Sequence, residues 1–369
     1  MRIEAITSMA RFFGLMSTAL TCLSVMAGER KAVETPHPPE FGLSKEPLLA
    51  KFSAAKAVEF LDAEAQAHEK GKCVTCHGTF AYLMARPALP IRTERHAEVR
   101  SDLEKWVVYL GKLNLVATSD PRRRAEAVMS AAVLAQHDVA TTGKLQTATR
   151  QALDLLWRVQ LPEGGFNWLK PNNEPPSAID NHFGATMAAI AVGAAPEGYA
   201  DSPAALAGTE KLRRYFQVHP PTHMHQRAML LLADHAIGGL ASDELRRQTA
   251  DDLFRLQRPD GGWAMAGLGD DTWKRKDKMP QDFNTSDGYG TGFSVYVLRT
   301  ASQVAASDER IRRAVDWLKS HQRISGGWYT RSPKNSDELS SYVGTAYALL
   351  ALAACGEIPQ PPITGQARE

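Results

Sequence analysis

Cysteine is scarce in this chain: four residues in 369, at Cys22, Cys73, Cys76 and Cys355. That excludes a disulfide-stapled scaffold, which would need a far denser set. An excess of one charge is missing too. The 43 basic residues nearly balance the 41 acidic ones, leaving a formal net charge of +2, so no nucleic-acid partner is expected. The cluster Arg122, Arg123 and Arg124 sits among acidic residues and reads as an ordinary solvated face. Long apolar runs are absent after residue 27, so no segment there reads as a membrane span. No G-x-S-x-G, Walker loop or H-E-x-x-H occurs, which removes support for simple hydrolase, nucleotide-binding and zinc-protease readings. What is present, 44% hydrophobic and 23% charged residues, suits a globular domain with a sizeable core.

The first residues, MRIEAITSMARFFGLMSTALTCLSVMAGERK, place Arg2 and Arg11 before an apolar run from Phe12 to about Met26, followed by small residues. This reads as a signal peptide over 1–27, and hence as an exported protein, periplasmic or extracellular. Residues 28–47 are rich in proline and charge and read as a linker, and 358–369 as a flexible tail. The folded part is expected over 48–357.

Three stretches superimpose: QLPEGGF at 160–166, QRPDGGW at 257–263 and QRISGGW at 322–328. Each follows an amphipathic helical pattern and precedes a second helix rich in small apolar residues. Gln160, Gln257 and Gln322 fall where a helix ends and its last carbonyls need donors. Gly164, Gly261 and Gly326 permit a positive φ, after which Phe166, Trp263 and Trp328 are placed to pack back over the turn.

These motifs resemble the QW repeats of the squalene-hopene and oxidosqualene cyclases. The helical alternation resembles the wider α/α-toroid group that includes the protein prenyltransferases. The resemblance implies an all-α toroid of about six hairpins enclosing an apolar cavity for an isoprenoid or similar lipid, with terpenoid cyclisation as the implied activity. With degenerate copies allowed, outer helices are expected near 50–67, 95–113, 143–160, 206–218, 242–257 and 307–322. Their inner partners are expected near 74–86, 121–137, 181–194, 222–237, 287–303 and 339–354. Inner segments such as ATMAAIAVGAA and GTAYALLALAA have the small apolar composition that close packing round an axis requires.

The cyclases resembled here protonate an alkene with an aspartic acid from a D-x-D-D motif, which this chain lacks. Asp180, Asp287 and Asp271 are the weak catalytic candidates left. Inner-helix starts also carry His182, His223, His225, Tyr289 and Tyr342, expected to share the mouth of the toroid. Two loops, before residue 180 and over 264–286, are long enough to form a lid, with Trp168, Trp273 and Phe283 either lining it or anchoring it.

The string CVTCH at 73–77 falls where the first inner helix is expected to begin, putting Cys73, Cys76 and His77 on one side of it. In an exported protein this is the attachment pattern for covalent haem c, with His77 as iron ligand, a redox partner implied, and His182, His223 or His225 (or, more weakly, Met224) as distal ligand. The alternatives are zinc, which needs a fourth ligand from elsewhere, and a local disulfide or a pair of thiols. Three classes of function therefore stand side by side: a cyclase-like enzyme, a haem-bearing redox or sensor module, and a non-catalytic binding protein.

Overall fold

The computed structural model describes residues 42–69, 78–90, 93–118, 120–169, 180–334 and 337–359, all within one compact unit, Thr35–Glu369. The signal peptide, most of the linker, the C-x-x-C-H string and the last ten residues lie outside the described residues.

Helices alternate in six hairpins: α1 (Ala54–Glu69) with α2 (Thr79–Ala85), α3 (Glu94–Gly111) with α4 (Pro121–Thr141), and α5 (Thr147–Val159) with α6 (Asn181–Ala194). The series continues with α7 (Pro203–Val218) and α8 (Met224–Ile237), α9 (Asp243–Arg255) and α10 (Gly288–Thr300), and α11 (Glu309–Ser320) and α12 (Asp337–Ala354). Even-numbered helices form the inner ring, each packing on the next, and α12 meets α2 to close the circle. The expected all-α toroid is what is found. The boundaries agree to within a few residues at most ends, the shortest helix being α2, which begins only at Thr79.

The two rings differ for a physical reason. Outer helices α5 and α11 bury one stripe, Leu153, Leu156 and Ile311, Leu318 among it, and turn charged side chains to water. Inner helices are covered on nearly all sides: in α12, every residue from Ser340 to Ala353 is buried. They approach closely because small residues face one another. A Cβ on Gly344 of α12 would stand 2.8 Å from the backbone nitrogen of Tyr289 in α10, and one on Gly292 would stand 2.5 Å from that of Ala348.

The repeat motif is a clasp between consecutive outer helices. Gln257 Nε2 donates to its own loop at Gly261 O (2.8 Å) and to Arg310 O of the next outer helix (2.8 Å). Gln160 does the same to Gly164 O (3.1 Å) and Gly208 O (3.0 Å). Gln322 reaches Gly326 O (2.9 Å) and Ser53 O (3.0 Å), and its Oε1 accepts from Ser53 N (2.8 Å). The glutamine thus serves the neighbouring hairpin, and a different group serves the helix that has just ended. The indole Nε1 of Trp263 donates to Leu253 O (2.6 Å), and that of Trp328 to Leu318 O (2.7 Å). Phe166, whose ring has no N–H, is buried without that bond, and its backbone forms an antiparallel bridge with Gln160. The first glycine of each pair has φ of +98°, +93° or +105°, and a Cβ there would overlap the backbone of Lys211, Arg313 or Lys56 in the next outer helix. Only glycine meets both demands.

The third clasp closes the ring on the start of the fold. Leu49 N donates to Gln322 O (2.7 Å), Ile324 N to Pro47 O (3.1 Å), and Arg323 Nη1 to Glu46 O (2.7 Å).

Replacing the fully buried Gln322 by alanine leaves both polar groups of Ser53 and one of Gly326 short of a partner. A loss of about 2 kcal/mol, or a melting midpoint lower by about 5 °C, is expected in thermal or urea unfolding. Gln257→Ala, at a half-exposed position, should cost less; equal losses at the two sites would contradict the closure role.

Candidate functional site

All six inner helices run the same way, so the ring has an N-terminal and a C-terminal pole. The N-terminal pole holds the polar residues singled out in the sequence, but as caps and filling. Asp180 caps α6 by accepting from Phe183 N (2.8 Å), His223 caps α8 through Gln226 N (3.4 Å), and Asp287 caps α10 through Gly290 N (2.8 Å). Asp287 also accepts from Met265 N (2.6 Å). Burial pushes its carboxyl up to about 7 against the pull of these backbone donors.

Burial disfavours the charge on Asp180 as well, but there bonds from His223, Gln226 (2.8 Å) and Phe183 N win and hold the carboxyl down at about 2. The two acids of the same pole are therefore driven apart: burial outweighs the backbone donors at Asp287, whereas the bonds from His223, Gln226 and Phe183 N outweigh burial at Asp180. The third candidate, Asp271, lies exposed in the long loop. None of the three is an acid facing a ligand cavity.

Around these caps the ring axis is packed with aromatic side chains. His225 Nε2 lies 2.8 Å from the hydroxyl of Tyr289, and its ring stacks on Phe293 at 4.8 Å. Burial lowers its pKa to about 3, with the neighbouring His223 acting the same way. Phe293 and Tyr289 both meet Tyr347 edge-on at 5.2 Å. From the long loop, Trp273 inserts against His223 (5.6 Å) and His225 (5.7 Å) and is 2% exposed. Trp168 is likewise buried, so both tryptophans anchor their loops, while Phe283 stays exposed. His182 is buried against Phe216 with neither ring nitrogen hydrogen-bonded, and burial lowers its pKa to about 4. Among the described residues, the loop tryptophan and the histidine-tyrosine stack pack together at this pole.

The axial cavity lies at the opposite pole. It measures about 320 Å³ and draws on all six inner helices. Met187, Leu232 and Tyr347 form its buried floor, and Met84, Ile190 and Tyr296 its walls. Gln136, His235 and Thr300 stand at the rim beside Val139, which is 42% exposed, so the cavity opens to water there. Among the described residues, no aspartate, glutamate, lysine or arginine lines it.

A second recess, of about 440 Å³, lies between α3 and α4. His96 and His137 face each other there, Nε2 to Nε2, at 3.0 Å. Arg100 contacts His137 Nδ1 and pairs with the buried Asp138 at 2.8 Å. A guanidinium only donates, so it sets His137 Nδ1 as acceptor and leaves the proton on Nε2, directed at His96. Sequence reading missed this pair, whose members lie far apart in the chain and form no motif. Among the described residues, no group of three or more His, Cys, Asp or Glu is arranged to hold a metal ion, and no helix is long and apolar enough to cross a membrane. Cys73, Cys76 and His77 lie outside those residues; Cys355 is a half-buried free thiol.

Residues 283–365, which carry α10, α11, the third repeat motif and α12, match the family model of the squalene-hopene cyclase C-terminal domain. A probable squalene–hopene cyclase from Sinorhizobium fredii is 35% identical over 88 residues, and the squalene–hopene cyclase of Bradyrhizobium diazoefficiens is 39% identical over 82. Each alignment takes in 20% of this chain and only 12% of the relative's length. Among solved structures, an ent-copalyl diphosphate synthase from Streptomyces platensis aligns with a TM-score of 0.47 at 16% identity, over 76% of this chain and 50% of that one. A type II terpene cyclase from Scytonema, solved with merosterolic acid A, aligns with a TM-score of 0.47 at 14% identity, over 82% and 96%. The recognition made on the repeat motifs, a squalene-cyclase-like toroid, is borne out by the family match and by the ring itself.

Because His225 titrates at about 3 in the fold and near 6.5 when exposed, the unfolded chain takes up the proton first. Its contribution to stability is complete above pH 6.5 and is lost as the pH falls toward 3. His225→Phe should cost about 1–3 kcal/mol at pH 7 by stranding the Tyr289 hydroxyl, and that deficit should shrink or reverse at pH 4. Melting curves of both proteins at pH 7, 5 and 4 test this; a deficit constant across the range would rule out a buried neutral imidazole.

Proposed function

We propose that this protein is a squalene-cyclase-like toroid that holds an isoprenoid or similar lipid in its axial cavity, outside the cytoplasm, without proton-initiated cyclisation. The observation that carries the reading is the cavity itself, about 320 Å³, lined mainly by apolar and tyrosine side chains, with every inner helix contributing at least one residue. A concave apolar site with a few polar groups at its rim is the usual form of a small-lipid pocket. The curated relatives, aligned with 20% of the chain, are named as squalene–hopene cyclases, which favours an isoprenoid over other apolar ligands. Cyclisation of that kind needs a protonated acid against the polyene. The buried carboxyl that burial raises most in this direction, Asp287, belongs to the other pole and has backbone donors on both oxygens. Export rests on the N-terminal sequence, with its arginines ahead of an apolar run.

Two measurements test the reading together. Native mass spectrometry of the purified protein incubated with farnesol or geranylgeraniol should show one adduct per chain. Gas chromatography after incubation with squalene should show no cyclic product above a heat-killed control. Absence of any adduct removes the lipid reading; a cyclic product that survives in Asp287→Asn but not in a cavity variant restores catalysis at the open pole.

Covalent haem at Cys73 and Cys76, with His77 as iron ligand, is a separate proposal supported by the C-x-x-C-H spacing and the export signal alone. Protein exported from a host that matures c-type cytochromes should show a Soret band that survives denaturation and is lost in Cys73→Ala, Cys76→Ala. A colourless protein from a competent host sinks the idea.

A further inference from the structure

The geometry points to a specific class of lipid for the axial cavity: a short, single-chain amphiphile with an uncharged head, entering from the C-terminal pole of the inner ring with its apolar end inward. The inference rests on the lipid-binding reading above and adds the polarity of the head, the length of chain accepted and the direction of entry.

Direction follows from which part of each inner helix lines the cavity. The contributors are Met84 near the end of α2, Gln136 and Val139 near the end of α4, and Ile190 and Gly193 near the end of α6. Leu232 and His235 of α8 and Tyr296 and Thr300 of α10 continue the same level. Toward the other pole the rings of His225, Phe293 and Tyr347 pack against one another beyond the cavity's inner end, where Tyr347 lines it. With Val139 and His235 exposed at the rim, the ligand's head is left at the water boundary and its tail against Met187, Leu232 and Tyr347.

Charge follows from two independent observations. No lysine or arginine lines the cavity among the described residues, so a diphosphate or carboxylate has no ion pair to make with either. Moreover, the cavity faces the carbonyl ends of parallel helices, where the backbone dipoles carry their negative half. Of the arginines near this pole, two donate to such carbonyls and a third, Arg246, pairs with Asp234 in the last turn of α8 (2.7 Å). Arg213 donates to Ile237 O (3.1 Å) at the end of α8, and Arg299 to Ala354 O (3.0 Å) at the end of α12. An anionic head would therefore meet the negative ends of the helix dipoles and no lysine or arginine in the lining. A hydroxyl would meet Gln136, Thr300 and His235, side chains that can each donate or accept a hydrogen bond.

Length follows from volume. At roughly 30 Å³ per heavy atom, the share of one water in the liquid, a cavity of about 320 Å³ takes about ten or eleven such atoms. That is two isoprene units and a hydroxyl; a longer chain must leave its excess in water.

Isothermal titration of the full chain with prenol, geraniol, farnesol and geranyl diphosphate, together with an Ile190→Trp variant shown by melting to be folded, tests all three parts. Affinity should rise at least tenfold from five-carbon prenol to ten-carbon geraniol and then level off at fifteen-carbon farnesol. Geranyl diphosphate should bind at least tenfold more weakly than geraniol, and Ile190→Trp should weaken geraniol at least tenfold. Equal or tighter binding of the diphosphate, a continued rise to farnesol, or indifference to Ile190→Trp would each overturn this inference while leaving lipid binding in place. Failure of every prenyl compound to bind the folded wild type would overturn the underlying reading with it.

Discussion

A ring of helices has no free end to fray only if its last unit holds its first, and here the seam that does so is centred on one carboxamide. Gln322 contacts both backbone polar groups of Ser53 across 269 positions of sequence. The same side chain bonds its own loop at Gly326, whose positive φ lets the backbone lie against Lys56. Glutamine is suited to this because one planar amide donates twice and accepts once, so it matches an N–H, a C=O and a second C=O together. With the circle closed, the inner helices are pressed round an axis at small-residue spacing, and their direction becomes a property of the whole molecule.

That common direction explains the division of labour between the poles. At the N-terminal end, the free N–H groups of the inner helices call for acceptors, and Asp180, His223 and Asp287 supply them. Polar residues at those positions are explained by capping before any chemistry is invoked. The aromatic column from His225 to Tyr347 then fills the axis, and its burial keeps the imidazole neutral. At the C-terminal end the described residues leave a recess of about 320 Å³ between the inner helices. Among the described residues, then, one pole is packed with caps and aromatic rings and the other carries the axial recess.

Much of the architecture was legible in the chain because the spacing of Gln, Gly and an aromatic recurs without slip in the last hairpins, and because inner segments are rich in alanine and glycine. The partner of each glutamine was not legible. A local reading assigns Gln257 to its own helix, whereas it binds Arg310 in the next, and the indole of Trp263 takes the role expected of it. Nor did the sequence reveal which pole would be open. That depends on Trp273, a loop residue fifty positions from the histidines it covers, and on stacking between α8 and α10. His96 and His137 escaped notice for the same reason: each is an isolated histidine in its helix, and only the lateral contact of α3 with α4 makes them a pair.

The clasp at Gln322 also bears on how such a chain reaches its native state. Hairpins such as α3–α4 or α9–α10 are made from neighbouring sequence, as in an open solenoid whose units add one to the next. The contact between Pro47–Ser53 and Gln322–Ile324 is of another kind, because it joins the two ends of the array. The entropy of drawing them together grows only with the logarithm of the intervening length, and the growing helical array shortens that path further by curving back on itself. Closure is thus a docking event at a seam, after the local units exist. Since the seam unites both ends of the ring, the order of hairpins along the polypeptide is one of several cyclic orders compatible with the same circle, and the position of the chain break is incidental to its geometry.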